Sequence, residues 1–362
     1  MNNPSSLLVA SVKNEGPNIL EWIAHHRLCG FDRIQVYHHD STDTTSATLR
    51  TLDRLGVIEC VENQYDGDEH QLRACKQSAQ SEAYAQADWC MVLGVEDFLA
   101  IKTGAGKIHD LIKACPDESD AILLNARVFG SNGQRTLGQD LITQRFQKAE
   151  PVDDIITGQL STFKTLFRTT AYERPGPYLP QGSLKGSPAV CNGSGLQEDA
   201  FLRKNWRGND PLGRKFAQVN HYGLRDLESF LLKYDRDHAA GTAQTMGQGF
   251  WARYDRNEQE DLLLVDRAPE LWAEMTRLNE MSNGRLLRLR KRAIHRWRTA
   301  LNGLLERREM AALRNALLNR DEHQPKGDSM VTPFRMPGRQ PVFTSVRTPK
   351  PEPMPIRKTL AG

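Results

Sequence analysis

The chain lacks any run approaching the ~18 consecutive apolar residues of a membrane-spanning helix. It also lacks a recognisable signal peptide. Met1–Ser6 is polar and uncharged, and the apolar run Leu7–Val12 is too short for a secretory hydrophobic core. A soluble, cytoplasmic protein is expected. None of the six cysteines, Cys29, Cys60, Cys75, Cys90, Cys115 and Cys191, belongs to a CxxC pair, and several sit inside apolar stretches. That placement fits buried free thiols in a reducing compartment rather than a zinc site. A large excess of one charge is missing too: the net value is +3 over 362 residues. Such an excess is too small to argue for nucleic acid, and nothing resembling a base-reading module accompanies the basic residues. No internal repeat is evident. The length suits one large α/β domain with additions, or two ordinary domains.

What is present, over the first hundred residues, is an alternation of strand and helix signals. Leu7–Val12 reads as a short buried strand. Pro17 stands at a first helical position, Leu20, Ile23, Ala24 and Leu28 recur at helical spacing, and Gly30 closes that helix. Arg33–His39 is a second strand. Ser41 or Thr42 can cap a helix with Ala47, Leu49, Leu52 and Leu55 on its apolar face, ending at Gly56. Val57–Val61 is a third strand, residues 69–87 form a helix, and Trp89–Val95 is a fourth, strongly apolar strand. Further strands fall at Ala121–Asn125 and Phe163–Arg168, and residues 224–240 are helical. Strand–helix units repeated in this way predict parallel pairing, because each helix must cross over before the next strand begins. In such sheets ligands bind beyond the carboxyl ends of the strands.

Polar clusters stand at three of those ends: Lys13-Asn14-Glu15, Asp40-Ser41-Thr42-Asp43 and Glu96-Asp97. They should converge on one cleft. A nucleoside diphosphate asks for such an assembly. It needs partners for base and ribose, charge compensation for the phosphates, and usually a divalent cation held by carboxylates. Asp40 and Asp43 suit base and ribose recognition. A helix cap is the competing explanation, although Asp40 precedes the capping position. Taken alone, Lys13–Pro17 is no more than a polar strand-to-helix turn.

The segment VKNEGPNILEWIAHHRLCGFDRIQVYHHDSTDTT resembles the opening of a bacterial glycosyltransferase-family-2-like group and is similar to the family 92 (DUF23) transferases. Those open with a K-N-E-x-x-x-[LI]-x-E-W pattern, then G-F-D-x-I and a D-S-x-D-x-T turn. The resemblance continues in order through WCMVLGVEDFLAI, RVFGSNG, FKTLFR, NGSG and NHYGLRDLESFLLKYDR, roughly residues 7 to 240. It implies an α/β fold of GT-A type, a Rossmann-like, mostly parallel sheet flanked by helices. It also implies a nucleotide-diphosphate-sugar donor, a UDP-sugar first among them, and a divalent cation, manganese or magnesium. Lys13, Asn14, Glu15, Asp40 and Asp43 fall on nucleotide-side positions. His221 falls on a His-Tyr pair from whose region many GT-A enzymes draw a metal ligand; packing beside Tyr222 is the alternative.

One departure stands out. Where the family reads Asp-Val-Asp-Glu-Phe, this chain reads Gly94-Val95-Glu96-Asp97-Phe98. The first aspartate is absent, and the two carboxylates that follow have exchanged arm lengths. Three outcomes stay open: a metal site of Glu96, Asp97 and His221; a site in which basic residues offset the phosphates with little or no metal; or a degenerate nucleotide-sugar-binding relative without turnover. Inverting transfer also needs a base for the acceptor hydroxyl. Glu198-Asp199 resembles the acidic pair that serves in many GT-A enzymes, with Asp199 the candidate and Asp97 the second. Arg127, Lys164 and Arg168 are cations in motif segments that can offset leaving-group charge.

Outside the resemblance, Arg285, Arg288, Arg290, Lys291, Arg292, Arg296 and Arg298 share a helix with an apolar stripe of Leu286, Leu289, Ile294, Trp297, Leu301, Leu304 and Leu305. Residues 285–305 therefore suit peripheral contact with the inner face of a membrane, or packing of the stripe on the core with the arginines in water. From Asp321 the chain is proline-rich and poor in large apolar residues, which predicts disorder. The expected organisation is a GT-A-like domain over 1–240, a C-terminal helical extension over 241–320 and a tail over 321–362. The expected function is sugar transfer to an unknown glycan or lipid-linked acceptor, in surface polysaccharide or glycoconjugate synthesis, with no nucleic-acid partner.

Overall fold

The first strand shows why a two-faced sheet forms. In β1 (Ser6–Val12), Leu8, Ala10 and Val12 enter one apolar cluster and the intervening Leu7 and Val9 enter another. Side chains alternate across a strand, so a strand apolar at every position must be covered on both faces. The structure, a computed structural model, describes residues 3–64, 69–152, 163–197, 213–239 and 247–323.

The strands follow as β2 (Arg33–His38), β3 (Glu59–Glu62), β4 (Trp89–Val92), β5 (Asp97–Ile101), β6 (Ala121–Val128), β7 (Lys148–Ala149), β8 (Phe163–Arg168), β9 (Tyr172–Arg174), β10 (Gln181–Ser183), β11 (Val190–Asn192), β12 (Ala217–His221) and β13 (Gln259–Glu260). Among the described residues nine strands make the main sheet, in the order β3-β2-β1-β4-β8-β6-β12-β5, with β11 beside β6. The pairs β1–β2, β2–β3, β1–β4, β6–β12 and β6–β11 are parallel. β8 runs antiparallel between β4 and β6, and β5 antiparallel to β12. Two small antiparallel ribbons, β9–β10 and β7–β13, stand apart. This is the α/β, mostly parallel, helix-flanked class that the repeated units predict.

Helices Ile19–Leu28 and Thr45–Arg54 cover one face, and His70–Ser78 with Glu82–Gln86 covers the other. Two local expectations are corrected. Residues 69–87 are two helices, because the Ser81 hydroxyl accepts from the Tyr84 N–H and starts a new one. The helix beginning at Thr45 is not capped by Ser41 or Thr42; Asp43 accepts from the Thr45 N–H (2.8 Å) instead. Residues 227–239 are helical as expected.

The edge strand β5 presents backbone groups that need partners. Helix Ile19–Leu28 supplies them. Trp22 donates its indole N–H to the Asp97 carbonyl (2.9 Å), His25 bonds the Leu99 carbonyl (2.8 Å), and His26 accepts from the Leu99 N–H (3.3 Å). Burial pushes His25 down to about 4 and His26 well below the usual imidazole range, so both are neutral parts of the core.

Helices Ala268–Met281, Arg285–Leu305 and Arg308–His323 close the described chain. Leu286, Leu289, Ile294, Leu301 and Leu304 are buried and Trp297 and Leu305 are partly buried, so most of the apolar stripe packs inward. Several arginines act as ties. Arg290 donates to the Pro17 carbonyl (2.9 Å), Arg296 to the Thr42 carbonyl (3.1 Å) and Arg285 to the Thr51 hydroxyl (3.2 Å). The basic helix thus backs the loops after β1 and β2. No helix among the described residues is long and apolar enough to cross a membrane. The tail beyond residue 323 lies outside the described residues.

Candidate active site

Parallel pairing brings the ends of β1, β2 and β4 to one edge of the sheet, and β12 ends at the same edge through β6 and β8. The antiparallel strands begin there, so β5 opens with Asp97 and β8 places Lys164 in its first turn of pleat.

After β1 and β2 the loops are knitted together. The Asn14 carboxamide oxygen accepts from the Thr42 N–H (2.8 Å), and the Asn14 N–H donates to the Ser41 hydroxyl (3.1 Å). Asp43 accepts from the Gly16 N–H (2.9 Å) as well as from Thr45. An added Cβ at Gly16 would lie 2.8 Å from both the Ala293 Cβ and the Asp43 carboxylate, which explains glycine there. Asn14 and Asp43 are therefore structural bridges whatever else they do. Lys13 and Asp40 are different. Their charged groups are 3.8 Å apart, and the Asp40 side chain is 68% exposed. Glu15 turns inward. It accepts from Arg225 (3.0 Å) and Asn18 (2.9 Å) and pairs with Arg236 (3.6 Å). Burial pushes its carboxyl up, but Arg225 and Arg236 outweigh that and hold it below the usual carboxylate range.

The acidic centre is built from four strands. Asp97 and His221 are cross-strand neighbours, and His221 donates from Nδ1 to Asp97 Oδ1 (2.8 Å). The other Asp97 oxygen accepts from the Gly94 N–H (3.0 Å) and lies 3.3 Å from the Lys164 ammonium. Lys164 also donates to the Pro177 carbonyl (3.0 Å) and sits 4.6 Å from the centre of the Tyr178 ring. Glu96 accepts from Lys233 at 2.6 Å. Burial opposes the ionised form of both carboxylates, yet Lys164 for Asp97 and Lys233 for Glu96 hold them below the ordinary range.

His221 uses Nδ1 on a carboxylate that can only accept, so a neutral ring leaves Nε2 as a bare lone pair. Gly223 keeps that nitrogen open: a Cβ there would lie 2.3 Å from it. Backbone strain gathers here as well. Asn14, Asp40 and Arg225 have φ of 54°, 40° and 60°, three of the five non-glycine positive values among the described residues. Such conformations concentrate where function over-determines the backbone.

The expected metal ligands do not assemble. Divalent cations of this class want several hard oxygen or imidazole ligands on one point. Among the described residues no three His, Cys, Asp or Glu side chains converge in that way. Glu96 is paired with Lys233, Asp97 with Lys164 and His221, and one imidazole nitrogen is left over. The residues described do not fit a resident divalent cation. Glu198 and Asp199 lie outside the described residues. Arg127 bonds Asp261, Gln259 and the Glu150 carbonyl, and Arg168 bonds the Ser119 and Asp117 carbonyls, so neither faces this centre. Lys233, Arg225 and Arg236 were not singled out by sequence. Their only signal is their place in the motif segment after His221.

The fold and this edge define an α/β protein with a charged ligand site at its strand ends. A comparison of the sequence with family profiles agrees with a transferase: residues 12–173 match the profile of Glycosyltransferase family 92. No curated protein matches closely enough to report. Among solved structures, TarS residues 1–349 from S. aureus in complex with UDP-GlcNAc is 12% identical, with 90% of this chain and 94% of that one covered and a TM-score of 0.35. The longer S. aureus TarS chain is 14% identical at a TM-score of 0.31; 46% of this chain aligns, spanning 29% of that one. HddC from Yersinia pseudotuberculosis is 10% identical, with 52% and 90% covered and a TM-score of 0.30.

Proposed function

We propose that this chain transfers a sugar from a nucleotide-diphosphate donor, a UDP-sugar first among candidates, to a hydroxyl of a glycan or lipid-linked acceptor. The observation that carries the reading is the convergence of Lys13, Asp40, Glu96, Asp97 and His221 on one sheet edge, joined by the Arg225–Glu15 and Lys233–Glu96 pairs. The family match supports the reaction class. The half-buried Lys13 and the exposed Asp40, whose charged groups meet only each other among the described residues, are offered to base or ribose, and the cations around Glu96 to the diphosphate.

In the transfer the anomeric carbon–oxygen bond breaks and its electron pair leaves on the β-phosphate oxygen, giving free nucleoside diphosphate. The acceptor oxygen bonds the anomeric carbon and gives its proton to a base. Asp97 is held by Lys164 and His221, so the described group best placed to take that proton is Nε2 of His221, with Asp97 orienting the ring. The acceptor class, surface polysaccharide or another glycoconjugate, rests on the family match alone. Six free cysteines, five of them buried, suit a reducing compartment, and we place the enzyme in the cytoplasm.

The test is nucleotide release from a panel of nucleotide-sugars by the full chain. Turnover is expected with at least one donor, and His221→Ala should lower kcat/KM by about 10²–10⁴-fold, the usual contribution of a positioned base. Tight nucleotide binding with no release from any donor would instead make this a binding protein.

A further inference from the structure

The acidic centre shows where a divalent cation would be expected and what stands there instead. Two ammonium groups meet the two carboxylates one to one: Lys233 on Glu96 at 2.6 Å, Lys164 on Asp97 at 3.3 Å. Together they carry the same +2 that a divalent ion would bring. The absent first aspartate of the motif agrees with this, since Gly94 has no ligand and its N–H is bonded to Asp97 instead. A Cβ added there would already lie 3.3 Å from the Asp97 oxygen, before any carboxylate is attached.

The two lysines are not equivalent. The Lys164 and Asp97 side chains are 9% and 4% exposed, and the Pro177 carbonyl and Tyr178 ring fix the ammonium on its other sides. It locks the Asp97–His221 pair. The Lys233 and Glu96 side chains are 21% and 35% exposed, so this pair is reachable from solvent and a phosphate can compete with Glu96 for the ammonium. Arg225 acts on the same Glu96 carboxylate, lowering its pKa further. It is 9% exposed, donates from one nitrogen to Glu15, and its Nε is buried with no hydrogen-bond partner among the described residues. A cation with donor capacity left over beside a half-buried ammonium that solvent can reach is a built site for a polyanion.

We propose that this site binds the donor diphosphate without a divalent cation, with Lys233 as the cation that meets the phosphates and Lys164 holding Asp97 out of any ligand set. The inference rests on the nucleotide-sugar reading of the site. It goes further by assigning the charge compensation to side chains of this chain. When the donor bond breaks, the negative charge grows on the β-phosphate oxygen, and a fixed ammonium lowers its energy as a metal would.

The experiment measures binding of UDP, GDP, ADP and dTDP to the full chain by calorimetry, once in EDTA and once in manganese chloride. At least one nucleotide should bind, with a Kd that differs less than threefold between the two conditions. Lys233→Ala should weaken that binding tenfold or more in EDTA. Manganese should then recover part of the loss, because Glu96 is freed to ligate it; a merely structural role for Lys233 would give no such recovery. Wild-type binding that manganese tightens threefold or more overturns the proposal and leaves the nucleotide-sugar reading standing. So does a Lys233→Ala protein that binds like wild type in EDTA. Failure of every nucleotide to bind in either condition overturns the site reading itself, and the proposal with it.

Discussion

The loops after β1 and β2 and the centre formed by β4, β5, β8 and β12 lie on one sheet edge but are held by different forces. In the first, the ties are hydrogen bonds between loops about 27 residues apart, Asn14 to Thr42 and Asp43 to Gly16. In the second, they are contacts of carboxylates spanning 124 and 137 residues, the Asp97–His221 hydrogen bond and the Glu96–Lys233 ion pair. Hydrogen bonds from a backbone N–H to a side-chain oxygen tolerate loss at about 1–2 kcal/mol each, whereas a buried charge left alone costs several. The first region should therefore yield to mutation gradually, and the second abruptly.

The largest effect is expected from Lys164→Met. It leaves the Asp97 carboxylate buried without its ammonium, a change that typically costs about 3–5 kcal/mol. Urea denaturation should show the midpoint falling accordingly. A loss under 1 kcal/mol would mean that water or the His221 ring already satisfies Asp97, and the contrast between the two regions would weaken.

Next comes the support of β5 by helix Ile19–Leu28. His25 is pushed down to about 4 by burial, from 6.5 in the unfolded chain. Below pH 6.5 the unfolded state takes up a proton that the folded state refuses until about pH 4. Stability from this group is therefore full above 6.5 and falls as the pH drops through that window, by roughly 3 kcal/mol in all. His26 acts in the same direction. In His25→Gln, whose amide can still reach the Leu99 carbonyl, the slope of stability against pH between 4 and 6.5 should flatten. An unchanged slope would place the proton uptake elsewhere.

These two regions also differ in how far sequence could reveal them. The clusters after β1, β2 and β4 were legible because strand and helix periodicity set where strands end, and parallel pairing aligns those ends. The pairing of Lys164 with Asp97 was not, since periodicity marks Phe163–Arg168 as a strand without saying that it runs backwards between β4 and β6. Lys233 lies in a helix whose partner is fixed only by the turn after His221, and no local pattern encodes a contact at that separation. Glu21 and Trp22 were visible as part of a motif, yet their tasks appear only in three dimensions. Glu21 accepts from the Ile142 and Thr143 N–H groups, and Trp22 holds the start of β5. Sequence also named Ser41 or Thr42 as the cap where Asp43 serves, since three consecutive capping residues are chemically interchangeable until the backbone chooses.

Asp43→Ala probes the gradual region. It removes acceptors from the Gly16 and Thr45 N–H groups and should cost about 1–2 kcal/mol, in the range of a lost helix cap. Nucleotide affinity measured at a temperature where the variant is fully folded should fall only as far as the loop loosens. A loss above 3 kcal/mol would show that this region shares the brittleness of the charged centre.

Asp40→Asn is expected to change stability least and to sharpen the comparison most. Asn tolerates the φ of 40° that Asp40 adopts, and the Lys13 pair it breaks is exposed and long, so the change should stay within about 0.5 kcal/mol. If Asp40 accepts from a base or ribose donor, losing its charge should still weaken nucleotide binding about tenfold, the scale of one hydrogen bond to a charged group. Thermal melting and calorimetry on the same preparation separate the two quantities. Asn14 and Asp43 couple them, because they build the loop that would present the ligand. Lys13 and Asp40 do not, because their charged groups meet only each other among the described residues. An affinity that survives Asp40→Asn unchanged would move recognition of the nucleoside off the end of β2 and leave Lys13 as the charged group at that edge without a partner carboxylate.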